Sequence, residues 1–308
     1  MKILITEFMD ESAVQSLRQQ FDTTYDPTLV DRPDDMLVKL KDCDAIIVRN
    51  RTQVTAALLH AAPTLKVVGR LGVGLDNIDL PACKEKNIEV IPATGANALA
   101  VAEYVMGTAM MLLRGTYRSS DAVAAGAWPR NALSNGREIG GKVIGIVGFG
   151  GIGQLTAKLA QGLGMRVVAS DPMIAADASI WTQSNVQYRT LDALLAESDV
   201  VTLHIPLTAD TKNLIGQQRL AMMKSNAVLI NTARGGVVDE VALAVALKAK
   251  KLGGAALDVF EIEPLKNGSG LADCPNLILT PHIAGVTAES NERVSSMIAE
   301  RVSTFLLR

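Results

Sequence analysis

Gly148-Phe149-Gly150-Gly151-Ile152-Gly153 sets three glycines in the spacing G-x-G-x-x-G. That spacing removes side chains where main-chain amides must approach a pyrophosphate. Gly148 permits a tight turn, Gly150 lets the backbone close on phosphates, and Gly153 lets a helix pack closely on a strand. Gly151 and Ile152 open that helix, whose free N–H groups and positive dipole end suit an anion. Asp171 follows 18 residues after Gly153 (171 − 153). A carboxylate there can accept from both ribose hydroxyls and would repel a 2′-phosphate, which favours NAD over NADP. Glycine-rich turns that bind no nucleotide share the bare spacing. Strand, glycines, helix, strand and acid in that order make the signature specific.

These residues need a scaffold, and the apolar pattern predicts one. Strand-like runs at Ile3–Ile5, Ala45–Val48, Lys66–Gly69 and Glu89–Ile91 alternate with helical stretches. Asp10 is expected to cap a helix reaching about Gln20, and Thr55 one through Leu59. A long helix is predicted over 97–114. Further strands are expected at Val143–Val147, Arg166–Ala169, Val200–Leu203, Ala227–Ile230 and Gly254–Leu257, with a helix from Ile152 to Leu163 between the first two. Asp239 is read as a helix cap and Gly253 as that helix's closing residue. Such alternation implies α/β architecture, with parallel sheets covered by helices on both faces. The final stretch, Thr287 to Leu307, is helical in period.

A chain of 308 residues suits two domains. A net charge of −2 gives no bulk attraction for nucleic acid, and no apolar stretch reads as a membrane span. Cys43, Cys83 and Cys274 fit no disulfide or metal framework, so no metal is expected and a reducing cytoplasm is the expected location.

With these motifs in place the chain resembles the D-isomer-specific 2-hydroxyacid dehydrogenases, in particular their phosphoglycerate dehydrogenase-like branch. The resemblance runs through Arg70-Leu71-Gly72-Val73-Gly74-Leu75-Asp76-Asn77-Ile78-Asp79, Asn97 to Glu103, the glycine signature, His204-Ile205-Pro206-Leu207, Asn231-Thr232-Ala233-Arg234-Gly235-Gly236, Ala256-Leu257-Asp258-Val259-Phe260, Glu263-Pro264 and Pro281-His282. It implies a flavodoxin-like substrate domain over 1–98 and 285–308, a Rossmann NAD-binding domain over 99–284, and an active site in the interdomain cleft. It implies a catalytic set of Arg234, Glu263 and His282. It also implies that Asp258 meets the nicotinamide carboxamide, and that His204, Pro206, Thr232, Ala233 and His282 line the cofactor. The amides around Val73 and Gly74 would cradle a substrate carboxylate, beside Asn97. The chain stops at Arg308, so the regulatory domain of longer relatives is not expected. A homodimer joined through the region from Tyr117 to Gly141 is.

Elementary chemistry agrees with these implied roles. Reduction of a ketone builds negative charge on oxygen, which must then gain a proton. Arg234 offers a rigid fork of donors for carboxylate and carbonyl oxygen. His282 can serve as acid for reduction and base for oxidation, with Glu263 orienting its ring. Taken singly, each has a structural reading: a satisfied loop histidine, a surface ion pair, a turn residue, and for His204 a strand-ending residue. Their order as a set is what gives them function.

Arg49-Asn50-Arg51 and Arg70 follow two strands at their carboxyl ends, where α/β sheets bind ligands. In the resembling enzymes basic residues here face the far end of the substrate. The expectation is therefore a 2-hydroxy acid with a second anion, such as 3-phosphoglycerate or 3-sulfolactate; surface ion pairing is the other reading of these arginines. Ala100 and Asn50 depart from the serines usual at those places, which bears on substrate choice. The alternatives are a glyoxylate/hydroxypyruvate reductase and, from another class, an NAD-sensing corepressor-like protein.

Overall fold

Short strands, most of them apolar runs of four or five residues, alternate with helices and build two parallel sheets. The computed structural model describes residues 1–115 and 119–308. They divide into two units, Met1–Asn97 with Val286–Arg308, and Ala98–Gly285. Tyr117, the expected start of a dimer arm, lies outside the described residues.

The first unit runs β1 (Lys2–Ile5), α1 (Glu11–Arg18), β2 (Asp22–Tyr25), α2 (Pro33–Leu40), β3 (Ala45–Val48), α3 (Ala56–Ala61), β4 (Val67–Arg70), α4 (Leu80–Glu85) and β5 (Glu89–Pro92). Asp10 caps α1 by accepting from Ser12 N–H, and Thr55 caps α3 by accepting from Leu58 N–H. The strands lie in the order β2-β1-β3-β4-β5, all parallel. This is the flavodoxin-like order, and its direction of winding reverses between β1 and β3.

The second unit runs α5 (Ala98–Arg114), α6 (Ser120–Ala124), β6 (Val143–Val147), α7 (Gly151–Gly162), β7 (Arg166–Ser170), α8 (Ser179–Gln183), β8 (Gln187–Tyr188), α9 (Leu191–Glu197), β9 (Val200–Leu203), α10 (Gln217–Met222), β10 (Val228–Asn231), α11 (Glu240–Lys248), β11 (Gly254–Leu257) and β12 (Leu277–Leu279). Its parallel sheet has the order β12-β11-β10-β9-β6-β7-β8, so winding reverses between β6 and β9. That is the Rossmann arrangement extended by one strand. Ile144 and Ile146 of β6 face Val105, Ala109 and Leu112 of α5, with Ala157 and Ala160 of α7; Val143 and Val147 belong to the core that contains Leu194, Leu243 and Leu247.

The chain then returns to the first unit as α12 (Ala288–Leu306), opened by a Thr287–Ser290 capping box. Val294, Ile298, Val302 and Leu306 fall four residues apart on one face and join Ile3, Ile5, Ile47 and Val67 in one core. The opposite face of the same sheet, Leu4, Ile46, Val48 and Val68, packs with Met36, Leu40, Leu58 and Leu59.

One local expectation is corrected. α11 ends at Lys248 and the reversal falls on Lys250, at φ 55°, so Gly253 does not close the helix. A Cβ at Gly253 would lie 2.5 Å from Asn226 O, so glycine is needed there for close passage into β11. Among the described residues no helix is long and apolar enough to cross a membrane.

Candidate active site

The glycine turn leaves β6 at the point where the second sheet reverses its winding. Gly148 sits at φ +93°, and a Cβ there would lie 2.4 Å from His204 O, at the end of neighbouring β9. A Cβ at Gly153 would lie 2.2 Å from Gly148 O. These two glycines are fixed by the protein's own packing. Gly150 and Gly151 differ, because a Cβ on either would meet nothing within 4 Å. The turn is thus tight on its inner side and open beside the N-terminus of α7, a shape that fits the pyrophosphate of NAD. Asp171 lies just beyond β7. Its Oδ2 accepts from Phe149 N–H at 2.7 Å and its Oδ1 from Met173 N–H at 2.9 Å. Asp171 therefore holds the turn itself, while each oxygen keeps a lone pair for a ribose hydroxyl.

His204 is partly buried, with Nε2 3.1 Å from Thr202 Oγ1. Burial pushes its pKa down to about 4, so the ring is neutral at pH 7. Pro206 is exposed and Ala233 buried; Thr232 Oγ1, between β10 and Arg234, has no solvent exposure and no hydrogen-bond partner among the described residues. Sequence reading took Asn231 only as part of a motif. Its side chain clamps the turn, donating to Arg234 O at 2.9 Å and accepting from Ala233 N–H at 3.0 Å. Arg234 Nη1 donates to Ala233 O at 2.6 Å. A Cβ at Gly235 would lie only 1.8 Å from Phe260 O, so the segment carrying Arg234 lies flush against the segment leading to Glu263.

Glu263 and His282 are brought together, with Oε2 2.8 Å from Nδ1. Glu263 Oε1 accepts from Phe260 N–H at 3.0 Å, which orients the carboxylate. With Nδ1 donating to Glu263, the neutral ring keeps Nε2 as its acceptor nitrogen. Glu261 N–H donates to Glu240 Oε1 at 2.7 Å. Burial raises the Glu240 carboxyl, the charges of Glu261 and Glu263 add to that, and the Glu261 N–H bond opposes it.

Asp258 has a role that sequence reading missed. Buried at the end of β11, it accepts from Thr280 Oγ1 at 2.6 Å and from the N–H groups of Ile283 and Ala284, both at 2.8 Å. Thr280 is also 2.6 Å from the hydroxyl of Tyr104 on α5. His282 N–H donates to Asp258 O at 2.8 Å, and the residue sits at φ +57°. Asp258 thus fixes the loop that carries the histidine, on both sides of His282.

In the first unit, Arg49, Asn50 and Arg51 follow β3 at the point where that sheet reverses. All three main-chain N–H groups, and that of Thr52, converge on the buried carboxylate of Glu7, just after β1, at 2.8, 3.3, 3.0 and 3.0 Å. Asn77 Nδ2 donates to Arg49 O at 3.3 Å and to Thr52 O at 2.7 Å. The Arg49 guanidinium donates to Asn291 Oδ1 at 2.9 Å and lies 5.8 Å from the centre of the Phe8 ring. Arg51 forms an exposed ion pair with Asp31. Arg70 folds back on its own loop, donating to Leu71 O at 3.0 Å, and a Cβ at Gly72 would lie 1.6 Å from its Nη1. Val73 is exposed, Gly74 half-buried, and Asn97 Oδ1 is buried with no hydrogen-bond partner among the described residues. Nothing local in the sequence links Glu7 with residues 49–52.

Known proteins resemble this chain over nearly its whole length. Residues 106–284 match the family described as D-isomer specific 2-hydroxyacid dehydrogenase, NAD binding domain. The (S)-sulfolactate dehydrogenase of Chromohalobacter salexigens is 52% identical over 300 residues, covering 97% of this chain and 96% of that one. The hydroxypyruvate reductase of Thermotoga maritima is 37% identical over 98% of this chain and 97% of its own. The crystal structure of D-lactate dehydrogenase from Aquifex aeolicus, complexed with NAD and lactic acid, superposes with a TM-score of 0.86 at 30% identity, covering 100% and 96% of the two chains. The chain belongs to the D-isomer specific 2-hydroxyacid dehydrogenase family.

Proposed function

We propose that, within NAD-dependent 2-hydroxyacid dehydrogenation, this chain acts on a 2-hydroxy acid bearing a sulfonate at carbon 3, (S)-sulfolactate or a close analogue. The observation that carries this reading is Arg49 and Arg51, held on one short loop at the switch point of the first sheet. The 52% identity with an enzyme named for sulfolactate supports it. The glycine turn and Asp171 would hold the cofactor, which would supply the hydride acceptor for C2 as NAD+ in oxidation and the hydride donor as NADH in reduction. His282 Nε2 takes the hydroxyl proton in oxidation and gives it back in reduction, while Glu263 keeps the ring turned by its bond to Nδ1. Arg234 holds carboxylate and carbonyl oxygen. The amides near Val73 and Gly74, with Asn97, take the carboxylate, and Arg49 and Arg51 the far anion. Asp171 disfavours NADP by charge. The first unit serves the substrate and the second the cofactor. The working molecule is a homodimer, and buried free thiols at Cys43, Cys83 and Cys274 suit the cytoplasm.

The Arg51–Asp31 pair favours a second reading, in which Arg51 is not a substrate residue and the small mono-acids glyoxylate and hydroxypyruvate are preferred. NADH oxidation with 3-sulfopyruvate, 3-phosphohydroxypyruvate, hydroxypyruvate and glyoxylate decides. The highest kcat/KM is expected with 3-sulfopyruvate, and NADPH is expected to replace NADH poorly. A preference for the mono-acids would establish the second reading. NADH binding without turnover on any of them would point to a cofactor-sensing protein. Light scattering giving the mass of one chain would remove the dimer.

A further inference from the structure

The first sheet carries a buried acid that the dehydrogenase chemistry does not use. Glu7 is 4% exposed, and among the described residues no cationic side chain is hydrogen-bonded to it. Its two oxygens instead receive four consecutive main-chain N–H groups, from Arg49 to Thr52. Such a nest of amides is the kind of site that elsewhere binds a free anion. Here the protein's own carboxylate fills it. The substrate's far anion therefore cannot use those amides, and its recognition falls to the side chains that the loop presents.

The surrounding bonds show how fully the loop is fixed. Asn77 holds the carbonyls of Arg49 and Thr52, and Thr52 Oγ1 lies 2.9 Å from the buried Thr6 hydroxyl. Glu7 and residues 49–52 leave adjacent strands, β1 and β3, at the reversal point where open α/β sheets place their ligands. Burial alone would raise the Glu7 carboxyl, but the N–H bonds from Thr52, Arg49 and Arg51 outweigh it and hold the group ionised below the ordinary carboxylate range. Its charge also acts favourably on both guanidinium groups.

We propose that Glu7 is a positioning residue for substrate specificity: its buried carboxylate fixes the 49–52 loop so that Arg49 and Arg51 stand ready for the second anion of the substrate. This rests on the reading of those arginines given above. A loop organised in advance by an internal anion loses less order when the substrate binds, so the effect belongs in KM for dianionic substrates.

The test compares Glu7→Gln with the wild type on 3-sulfopyruvate and glyoxylate, with Arg49→Ala and Arg51→Ala measured in parallel. Glutamine keeps the shape but turns one acceptor oxygen into a donor, so it opposes two of the four N–H groups. KM for 3-sulfopyruvate should rise about tenfold or more, with kcat and KM for glyoxylate changing by less than about threefold. If Glu7→Gln does not fold, Glu7→Asp carries the same test, since it keeps the charge but draws it back from the loop. Equal changes on both substrates, or none, while the arginine variants raise KM for 3-sulfopyruvate selectively, would overturn the role of Glu7 and leave the substrate reading standing. Arginine variants without selective effect would overturn both.

Discussion

His282 is held at φ +57°, a region that costs a side chain bearing Cβ about 1 kcal/mol. The bonds to Asp258 hold it there and place Nδ1 on Glu263. Held on both sides, the residue is fixed in one backbone conformation. Replacing His282 by Gln should lower kcat by about 10²–10⁴-fold. Glu263→Gln should cost less, and the double variant should be no slower than His282→Gln, because the two act as one unit. Steady-state kinetics of the three proteins checks this, and additive losses would contradict it. The pair was not readable from spacing, since 19 residues separate them and no local signal joins them. Only the order of family motifs brought them together. Glu7 is less legible still, because its partners lie 42 to 45 residues away and a lone Glu after a strand carries no pattern.

At the scale of elements, the strands buried on both faces were legible because their apolar runs are continuous. β2, with the sequence Asp-Thr-Thr-Tyr and two exposed positions, and the two-residue β8 carry too little apolar signal to be read. The glycines allow a sharper test. Gly235→Ala would drive a methyl group into Phe260 O, and the backbone there has no room to yield. We expect either a marked loss of thermal stability or, if the segments part, a fall in kcat without loss of NADH affinity. Gly151→Ala meets open space, so it should fold as well as the wild type while weakening NADH binding. Thermal melts with and without NADH separate the two cases. The capping box of α12 gives a simpler prediction: Thr287→Ala should cost about 1 kcal/mol in denaturant unfolding.

For the molecule as a whole, the half-buried His204 and the buried Glu7 both contribute to the acid side of stability. His204 has its pKa lowered from 6.5 to about 4, so its contribution is complete above pH 6.5 and declines as pH falls towards 4. Glu7 is lowered from 4.5, so its contribution is complete above 4.5 and is lost only as pH falls through its folded value. Melting temperature should therefore fall in two stages on acidification. His204→Gln should flatten the first stage, between pH 6.5 and 4, and leave the second. An unchanged slope in that variant would show that other groups govern the acid limb.

The interleaving of the two units has a consequence for biosynthesis. The second unit is continuous from Ala98 to Gly285, whereas the first completes its core only with α12, which follows the whole second unit. A nascent chain emerging from the ribosome can thus bury the whole second sheet while one face of the first still waits for Val294, Ile298, Val302 and Leu306. During that interval Ile3, Ile5, Ile47 and Val67 lack their cover, so strands made before the second unit are sealed only after it, with apolar surface open in the meantime.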